Sequence, residues 1–491
     1  MNEIYPIMKR GKMKKVTILI CLLVLILIPY PKSVNAQFAS DVNWASSITY
    51  YTNSATSGQL FVNYYLGATV YTAGPYTLNP HQAGSINIGS TSVPDGFAGA
   101  AVLSSSVPVF ATYVQFEKVN PTAYSRAFYT GFDPSKAGPK FYLATTRANG
   151  VTETTVAVQN LESFEITATL DFYAVGAVAP TFTKIVDILP NATFISKLPD
   201  ISTYPGGSFD GSAVITATKK GDSATPGNIV ATAQETQDAG YGVYAFEGTK
   251  EGATSVFLPS AMCDYFGQTS FYAIQNAGDG DALVTVDYYN TSGVKVGSLP
   301  ETVVPKGAKL STNPCAASLL VGAVGSAVVK SNNGIPLIAI GKISSTGGLI
   351  TAFSGALEGA TTVVAPYVRW AADQTTSWSA YLSVMNVGTA PATNITAKYY
   401  DASGTLRATH VLASAGTPLA AYTKVNTNPN TAGALIGGSF GYPADGGANG
   451  GAVEITSDQP IVVLVRLATT PTIVPGVTIF GEDYIALPAV P

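Results

Sequence analysis

The sequence predicts an all-β protein made of four antiparallel β-sandwich domains in tandem behind an N-terminal signal peptide helix. Three observations predict this. Helix signals are nearly absent beyond the first 36 residues. Short segments rich in Val, Ile, Thr, Tyr and Phe alternate with turns rich in Gly, Asn, Asp, Ser and Pro, which is typical of strands. A short aromatic motif also recurs four times at a domain-sized period.

The recurring motif is an aromatic pair that ends at Tyr65, Tyr173, Tyr289 and Tyr400, so successive copies are 108, 116 and 111 residues apart. Two further markers keep the same phase. An Asn-containing pair precedes each copy, and a Gly- and Ala-containing segment that ends in Val follows it. Three markers in one order, repeated four times, predict four copies of one domain rather than a solenoid of short repeats. The preceding pairs are Thr52-Asn53, Gln159-Asn160, Gln275-Asn276 and Met385-Asn386, and the following segments end at Val102, Val214, Val328 and Val453.

The N-terminus reads as a secretory signal peptide. A basic segment at 8–15 precedes an apolar run at 16–28, and small residues at Val34 and Ala36 favour cleavage between Ala36 and Gln37. The alternative is an uncleaved anchor, but the run has 13 residues and Pro29 follows it, whereas a bilayer span needs about 20 residues. We therefore expect no transmembrane span in the mature chain. The predicted units are the signal peptide at 1–36, repeats at 37–128, 129–243, 244–350 and 351–478, and an extra C-terminal strand at 479–491.

Charge limits the class of partner. Removing residues 1–36 takes away six basic residues and one acid, which leaves 20 basic and 29 acidic residues and a net charge of −9. An acidic chain lacks the basic footprint that nucleic acid requires, so no nucleic acid partner is expected. Charged residues make up only 11 % of the whole sequence, and such a surface favours self-association or packing against neighbouring surface proteins, with glycans as a further partner class.

The fourth repeat shows the strand pattern most clearly. Seven strands in about 110 residues are immunoglobulin-like (Ig-like) in size and number. We expect the last two strands to form a hairpin around Ser457-Asp458-Gln459. The aromatic pair lies on the third strand, where one ring should fill the core and the next point outward. A sugar-stacking role for the outward tyrosines is the alternative interpretation. The expected strands are 362–370, 379–386, 394–400, 405–412, 420–426, 452–456 and 460–467.

A second shared pattern lies between the repeats. Tyr244 to Gly248 and Ala352 to Gly355 each precede a short Gly-Ala-Thr segment and a new strand, with no long linker, so neighbouring domains should be closely coupled. Phe480-Gly481 with Tyr484 to Pro488 resembles this junction plus the first strand of a further repeat. We expect it either to fold back onto an edge of the fourth repeat or to be donated to a neighbouring molecule.

Two motifs relate the chain to a known kind of protein. They resemble two motifs of tandem Ig-like repeat proteins on bacterial cell surfaces, a Gln-Asn-x-Gly turn and a Tyr-Tyr-(Asp/Asn)-x-Ser-Gly hairpin. The third repeat carries both, as Gln275-Asn276-Ala277-Gly278 and Tyr288 to Gly293, and the fourth carries the hairpin as Tyr399 to Gly404. The first two repeats lack the Ser-Gly hairpin. The resemblance covers about the whole mature chain, implies secretion and a structural or adhesive role, and transfers no active site.

The two cysteines of the mature chain both fall in the third repeat. Export makes a disulfide between Cys263 and Cys315 the favoured state, joining the first strand of that repeat to a segment near its fifth strand. Two free buried thiols are the alternative.

No motif predicts catalysis, a cofactor or a metal. His81 and His410 lie in different repeats and are interpreted as ordinary strand or turn residues. Asp279-Gly280-Asp281 lacks the ligand spacing of an EF-hand and is interpreted as a turn. The glycine-rich stretch 445–451 precedes a strand, so it offers no helix N-terminus to a phosphate.

The sequence therefore predicts a non-enzymatic, secreted, extracellular protein of the cell surface, a subunit of a layer, sheath or filament. An adhesin that binds a glycan or protein through its outer loops is the second interpretation. A secreted hydrolase or its accessory module is the third.

Overall fold

The computed structural model describes residues 44–97, 99–117, 126–237, 242–346, 350–371, 378–442, 450–470 and 480–489. These residues are strand-rich and carry only four short 3₁₀ turns, so the predicted all-β class is confirmed. Every strand pairing is antiparallel apart from one isolated bridge. The predicted signal peptide and its Ala36–Gln37 cleavage site lie outside the described residues. Within those residues, no helix has the length and apolar character that crossing a bilayer requires.

The strands fall into four consecutive sets, which we call strand groups 1 to 4. Group 1 holds β1 (Trp44–Tyr51), β2 (Gly58–Leu66), β3 (Thr69–Leu78), β4 (Ala83–Asn87), β5 (Ala100–Ser105), β6 (Phe110–Glu117) and β7 (Arg126–Thr130). Group 2 holds β8 (Lys140–Ala148), β9 (Thr152–Asn160), β10 (Ile166–Ala174), β11 (Phe182–Ile188), β12 (Thr193–Lys197), β13 (Phe209–Lys219), β14 (Asp222–Pro226), β15 (Ile229–Gln237) and β16 (Val243–Glu247).

Groups 3 and 4 contain the remaining strands, again given in chain order. Group 3 holds β17 (Ser255–Cys263), β18 (Gln268–Asn276), β19 (Ala282–Asn290), β20 (Lys295–Val304), β21 (Lys309–Thr312), β22 (Ala323–Ser331), β23 (Leu337–Ser345) and β24 (Ile350–Ser354). Group 4 holds β25 (Ala360–Val368), β26 (Trp370–Ala371), β27 (Ser379–Asn386), β28 (Ile395–Tyr400), β29 (Leu406–Ala413), β30 (Lys424–Thr427), β31 (Ser439–Phe440), β32 (Gly451–Thr469), β33 (Phe480–Ile485) and β34 (Leu487–Pro488). The 3₁₀ turns are Ile88–Ser90, Pro134–Lys136, Leu198–Asp200 and Pro314–Ala317.

Two layers of strands enclose an apolar cluster, as groups 3, 2 and 1 show. In group 3 the first sheet has the order β17-β22-β19-β20 and the second has the order β21-β18-β23-β24. Group 2 repeats this arrangement with β8-β13-β10-β11 and β12-β9-β15-β16, which a single pair, Ala148–Glu153, joins into one sheet. Group 1 has β5-β2-β3 and β4-β1-β6-β7 among its described strands. Strand alternation produces the clusters: Ile166, Ala168 and Leu170 of β10 are buried at every second position.

The predicted hairpin at the end of the fourth repeat is wrong. Residues 451–469 form one continuous strand, β32. Its first half pairs with β28 and β25, and its second half pairs with β27 and β33. β32 therefore joins both sets of partner strands into one eight-stranded sheet. Alternating apolar residues on both sides of Ser457-Asp458-Gln459 look the same in sequence whether the chain reverses there or continues as one strand.

The C-terminal segment folds back onto its own group, which was one of the two expected outcomes. β33 pairs with β32 along six residues, and Leu487 and Pro488 pair with Val364 and Val363 of β25. β33 takes the place that β7, β16 and β24 take beside the last long strand of their groups. Two segments that the sequence analysis expected to be junctions thus pair with the strand that precedes them. They are Tyr244 to Glu247 and Ala352 to Ser354.

The aromatic pairs are buried at both positions in groups 2 to 4, whereas Tyr65 of group 1 is half-buried. The first ring of each pair fills its own core, as predicted: Tyr64, Phe172, Tyr288 and Tyr399 are each 0 % exposed. The second ring was expected to point outward. Tyr173, Tyr289 and Tyr400 are instead at most 8 % exposed, because the next strand group covers them. These three rings are therefore not available as a sugar-stacking platform.

Each apolar cluster is completed by the following group. Val243 and Ala245 of group 2 lie in the cluster of group 1, and Ala352 of group 3 lies in that of group 2. Leu464 of group 4 lies in the cluster of group 3, and Phe128 of group 1 lies in that of group 4. The order is thus closed, and group 4 contacts group 1. We call this closed cycle the ring. Four domains coupled only to their neighbours along the chain would lack the last contact.

Candidate functional site

The ring is built around four short strands. β7 contacts β16, β16 contacts β24, β24 contacts β33 and β33 contacts β7. Residues from all four strands line one crevice that has no room for a water molecule, among them Arg126, Tyr244, Thr351 and Glu482. The lining mixes charged, hydroxyl and aromatic side chains, so polar interactions as well as apolar burial hold the centre of the ring.

A turn with left-handed backbone joins neighbouring groups. His81, Asn191, Gly307 and Tyr422 hold equivalent places before β4, β12, β21 and β30 and have φ of 54°, 57°, 76° and 63°. Three of these turns contact the second aromatic side chain of the pair in the group that comes before theirs in the closed cycle. Tyr289 lies 5.3 Å from Tyr422, His81 stacks on Tyr400 at 4.6 Å, and a side chain on Gly307 would meet the Tyr173 ring. The repeated geometry shows that these interfaces are built alike.

The interface that closes the ring carries its own polar cluster. The Tyr51 hydroxyl of β1 donates to Glu454 of β32 at 2.6 Å, and His81 Nδ1 lies 3.3 Å from the same carboxylate oxygen. Burial raises the pKa of the Tyr51 hydroxyl, and the Glu454 carboxylate raises it further. The phenol therefore stays protonated and donates across the interface. His81, interpreted from sequence as an ordinary turn residue, joins group 1 to group 4.

A second contact closes the ring near its centre. Arg126 Nε of β7 donates to Glu482 of β33 at 2.9 Å, and the guanidinium carbon lies 4.4 Å from the centroid of the Trp378 ring. Burial raises the pKa of Glu482, and Arg126 opposes that rise. Phe128 packs on Tyr484 with ring centroids 4.7 Å apart. An ion pair and an aromatic stack thus lie side by side.

The interface between groups 2 and 3 holds a buried ion pair. Lys342 Nζ of β23 donates at 2.8 Å to Glu235 of β15, which also accepts a hydrogen bond from the Tyr244 hydroxyl. Burial lowers the pKa of Lys342 to about 8, and Glu235 opposes the fall. Burial alone would raise the pKa of Glu235, but the positive charges of Lys342 and Arg147 lower it. The pair therefore stays ionised at neutral pH, with each charge dependent on the other.

The interface between groups 3 and 4 holds a related network. Asp483 of β33 accepts a hydrogen bond at 2.7 Å from the Thr351 hydroxyl of β24. It also accepts two at 2.8 Å from the guanidinium of Arg466. Lys424 of β30 is 6 % exposed nearby. Burial lowers its pKa to about 7, and Arg466 lowers it further while Asp483 opposes the fall. The pKa of Lys424 thus falls below that of Lys342.

Group 3 also carries an exposed aromatic tip. The sulfur atoms of Cys263 and Cys315 lie 2.09 Å apart, a disulfide distance that fits the predicted bridge between the first strand and the segment after the fifth. The bridge joins two loops that hold four non-glycine residues at positive φ, including Phe266. Phe266 is 85 % exposed and packs edge-on against Tyr265. Phe266 therefore faces solvent, while Tyr265 packs against the apolar cluster of group 3.

The remaining sequence interpretations fall elsewhere in the fold. His410 lies 2.8 Å from the Thr427 hydroxyl inside group 4, and Asp279 forms an ion pair with Lys306 at 2.8 Å. Most of the stretch 445–451 lies outside the described residues. No three His, Cys, Asp or Glu side chains group as metal ligands in the described part of the chain.

Sequence reasoning missed the buried charges, although a signal existed. Lys342 stands in Leu337 to Ile343, where all the other residues are apolar or glycine. A single lysine in such a strand needs a buried anionic partner.

Comparisons with known proteins add nothing to this site: no family model and no curated protein matches the chain.

Proposed function

We propose that the chain is a secreted structural protein of the bacterial cell surface, a subunit of a layer, sheath or filament. The four strand groups are, in this proposal, four copies of one Ig-like domain, and the resemblance to tandem Ig-like surface proteins supports the same role. The observation that carries the proposal is the closed cycle in which each apolar cluster is completed by the next group. Such a body is a rigid building unit whose separate parts would expose apolar surface.

The charge of the chain supports the same role. Only 11 % of the residues are charged. A surface with so few charges provides little electrostatic repulsion between copies, which favours packing of one copy against another. Export through the predicted signal peptide would place the subunit outside the cell.

Electron microscopy of the mature protein tests the proposal. Protein that starts at Gln37 is purified as a monomer, concentrated and imaged by negative stain. We expect regular filaments, sheets or arrays with one repeating unit. A solution that stays monodisperse over a hundredfold range of concentration would contradict the structural role.

Adhesion is the second candidate, and the exposed tip at Phe266 favours it. Solvent-exposed aromatic side chains on a rigid loop are typical anchors of binding interfaces. A glycan array and binding to immobilised surface proteins would test this role with wild type and Phe266→Ala in parallel. Binding that is equal for both proteins would remove the tip from consideration.

A further inference from the structure

The first sheet of every strand group ends in an outer strand with one described partner. These outer strands are β3, β11, β20 and β29, which pair with β2, β10, β19 and β28. An outer strand presents unpaired backbone donors and acceptors on its free side, and natural proteins protect such edges with proline, bulges or charge. We therefore compare how well each of the four edges is protected against pairing with a strand of another molecule.

Two of the four edges carry proline. Pro75 lies inside β3 and Pro300 lies inside β20. Proline has no backbone donor, so a strand added beside it loses a hydrogen bond. Both strands also change register against their partners in mid-strand. Groups 1 and 3 therefore have protected edges.

The edges of groups 2 and 4 have no proline. β11 pairs with β10 without interruption from Phe182 to Ile188. β29 changes register only near its ends and pairs regularly from Ala408 to Val411. The Thr203 hydroxyl donates to the Thr183 carbonyl at 2.6 Å, so the open part of the β11 edge begins at Lys184. Both edges remain long enough to accept a strand.

The two open edges also match each other in side chains. Ile185 of β11 is 62 % exposed and Val411 of β29 is 59 % exposed, and both point away from their own cores. Antiparallel pairing with Ile185 opposite Val411 buries the two apolar side chains together. The same register sets Asp187 beside Thr409, so no like charges face each other across these pairs.

We propose that β11 of one molecule pairs with β29 of a second copy and so joins two first sheets into one continuous sheet. Groups 2 and 4 are not neighbours in the ring, so each molecule presents the two edges on opposite sides. A contact of this heterologous kind does not close and builds an open filament. The inference rests on the proposed structural role and names the surface that would carry it.

The test uses charge placed on each edge of the mature, full-length protein. Ile185→Lys and Val411→Lys alter the two open edges, while Val70→Lys on β3 and Val303→Lys on β20 are matched controls on the proline-bearing edges. All four side chains are about half exposed or more, so the fold should survive, which circular dichroism and thermal unfolding verify. Assembly is followed by light scattering and electron microscopy.

We expect each open-edge variant to lower polymer mass at least tenfold and each control to polymerise like wild type. An equimolar mixture of Ile185→Lys and Val411→Lys should form dimers, because the pair retains one intact β11 and one intact β29. Dimers of Val411→Lys alone would show pairing between two β11 strands and overturn the proposed contact. Normal polymers from all four variants would overturn the edge proposal but leave the structural role intact. Wild type that never assembles would end both proposals.

Discussion

Replacement of Lys424 by methionine should remove a pH dependence from the stability of the protein. Lys424 lies buried in β30 beside Arg466, and its pKa falls from 10.5 to about 7 on folding. Between these two values the unfolded chain holds the proton and the folded chain does not. Stability therefore rises with pH through this window, because the unfolded state binds more protons there.

The magnitude follows from the two pKa values. One pH unit inside the window contributes about 1.4 kcal/mol, and the rise is only half developed near the folded pKa. Between pH 7 and pH 9, wild type should gain about 2 kcal/mol from Lys424. Methionine has a similar volume and no charge to bury, so the variant should be the more stable protein at pH 7, and its advantage should shrink by that amount at pH 9.

Urea unfolding at pH 7, 8 and 9, followed by tryptophan fluorescence, measures this difference. Lys398→Met is the matched control, because Lys398 is exposed on β28 of the same group. The control should show the pH profile of wild type. Because Lys342 titrates identically in all three proteins, its effect cancels in the comparison. A constant free-energy difference between Lys424→Met and wild type across the three pH values would refute the assignment of Lys424 as a buried, titrating cation.

Three further predictions concern individual contacts. Replacing Cys263 and Cys315 together by serine should lower the free energy of unfolding by about 4 kcal/mol, because the bridge closes a long loop. Glu235→Ala should cost about 3 to 5 kcal/mol, since it leaves Lys342 buried without its anion. Gly404→Ala should destabilise the contact between groups 4 and 1 by more than about 1 kcal/mol, because Gly404 has positive φ in a crowded turn. Urea midpoints measure all three.

Each of these predictions has a control. Wild type in reducing buffer should match the double serine variant, and equal midpoints in oxidising and reducing buffer would contradict the bridge. Lys136→Ala breaks an exposed ion pair with Glu358 and should leave the midpoint unchanged. Gly433→Ala has similar φ but no neighbour within 4 Å, whereas a side chain at Gly404 would collide with the Pro80 carbonyl. If Glu235→Ala and Lys136→Ala had the same urea midpoint, the ion pair between Glu235 and Lys342 would not stabilise the fold. If Gly404→Ala and Gly433→Ala had the same midpoint, the close contact at Gly404 would not contribute to stability.

Local features of the fold could be predicted from the sequence. The predicted strand 379–386 coincides with β27, and the first aromatic of each pair fills the core as expected. These features depend on alternation and turn residues that lie within a few positions of each other. The continuous course of β32 could not be predicted, because alternation carries no information about which strands a segment pairs with.

The contacts that close the ring could not be predicted either. Tyr51 and Glu454 are 403 positions apart, and no pattern links them. Small or left-handed turn residues such as Gly307 and His81 leave space for an aromatic side chain of the neighbouring group. The same residue types also occur in ordinary turns. The second aromatic of each pair was assigned to solvent because a single repeat has nothing to cover it.

Small-angle X-ray scattering of the monomeric mature protein tests the closed ring most directly. A compact chain of this length should have a radius of gyration of about 23 Å, and four domains strung in a rod should have roughly twice that value. We predict a value near the compact limit that does not change between low and high salt, because apolar contacts as well as ion pairs close the cycle. A radius of gyration near the rod value would contradict the contact between groups 1 and 4 and, with it, the ring.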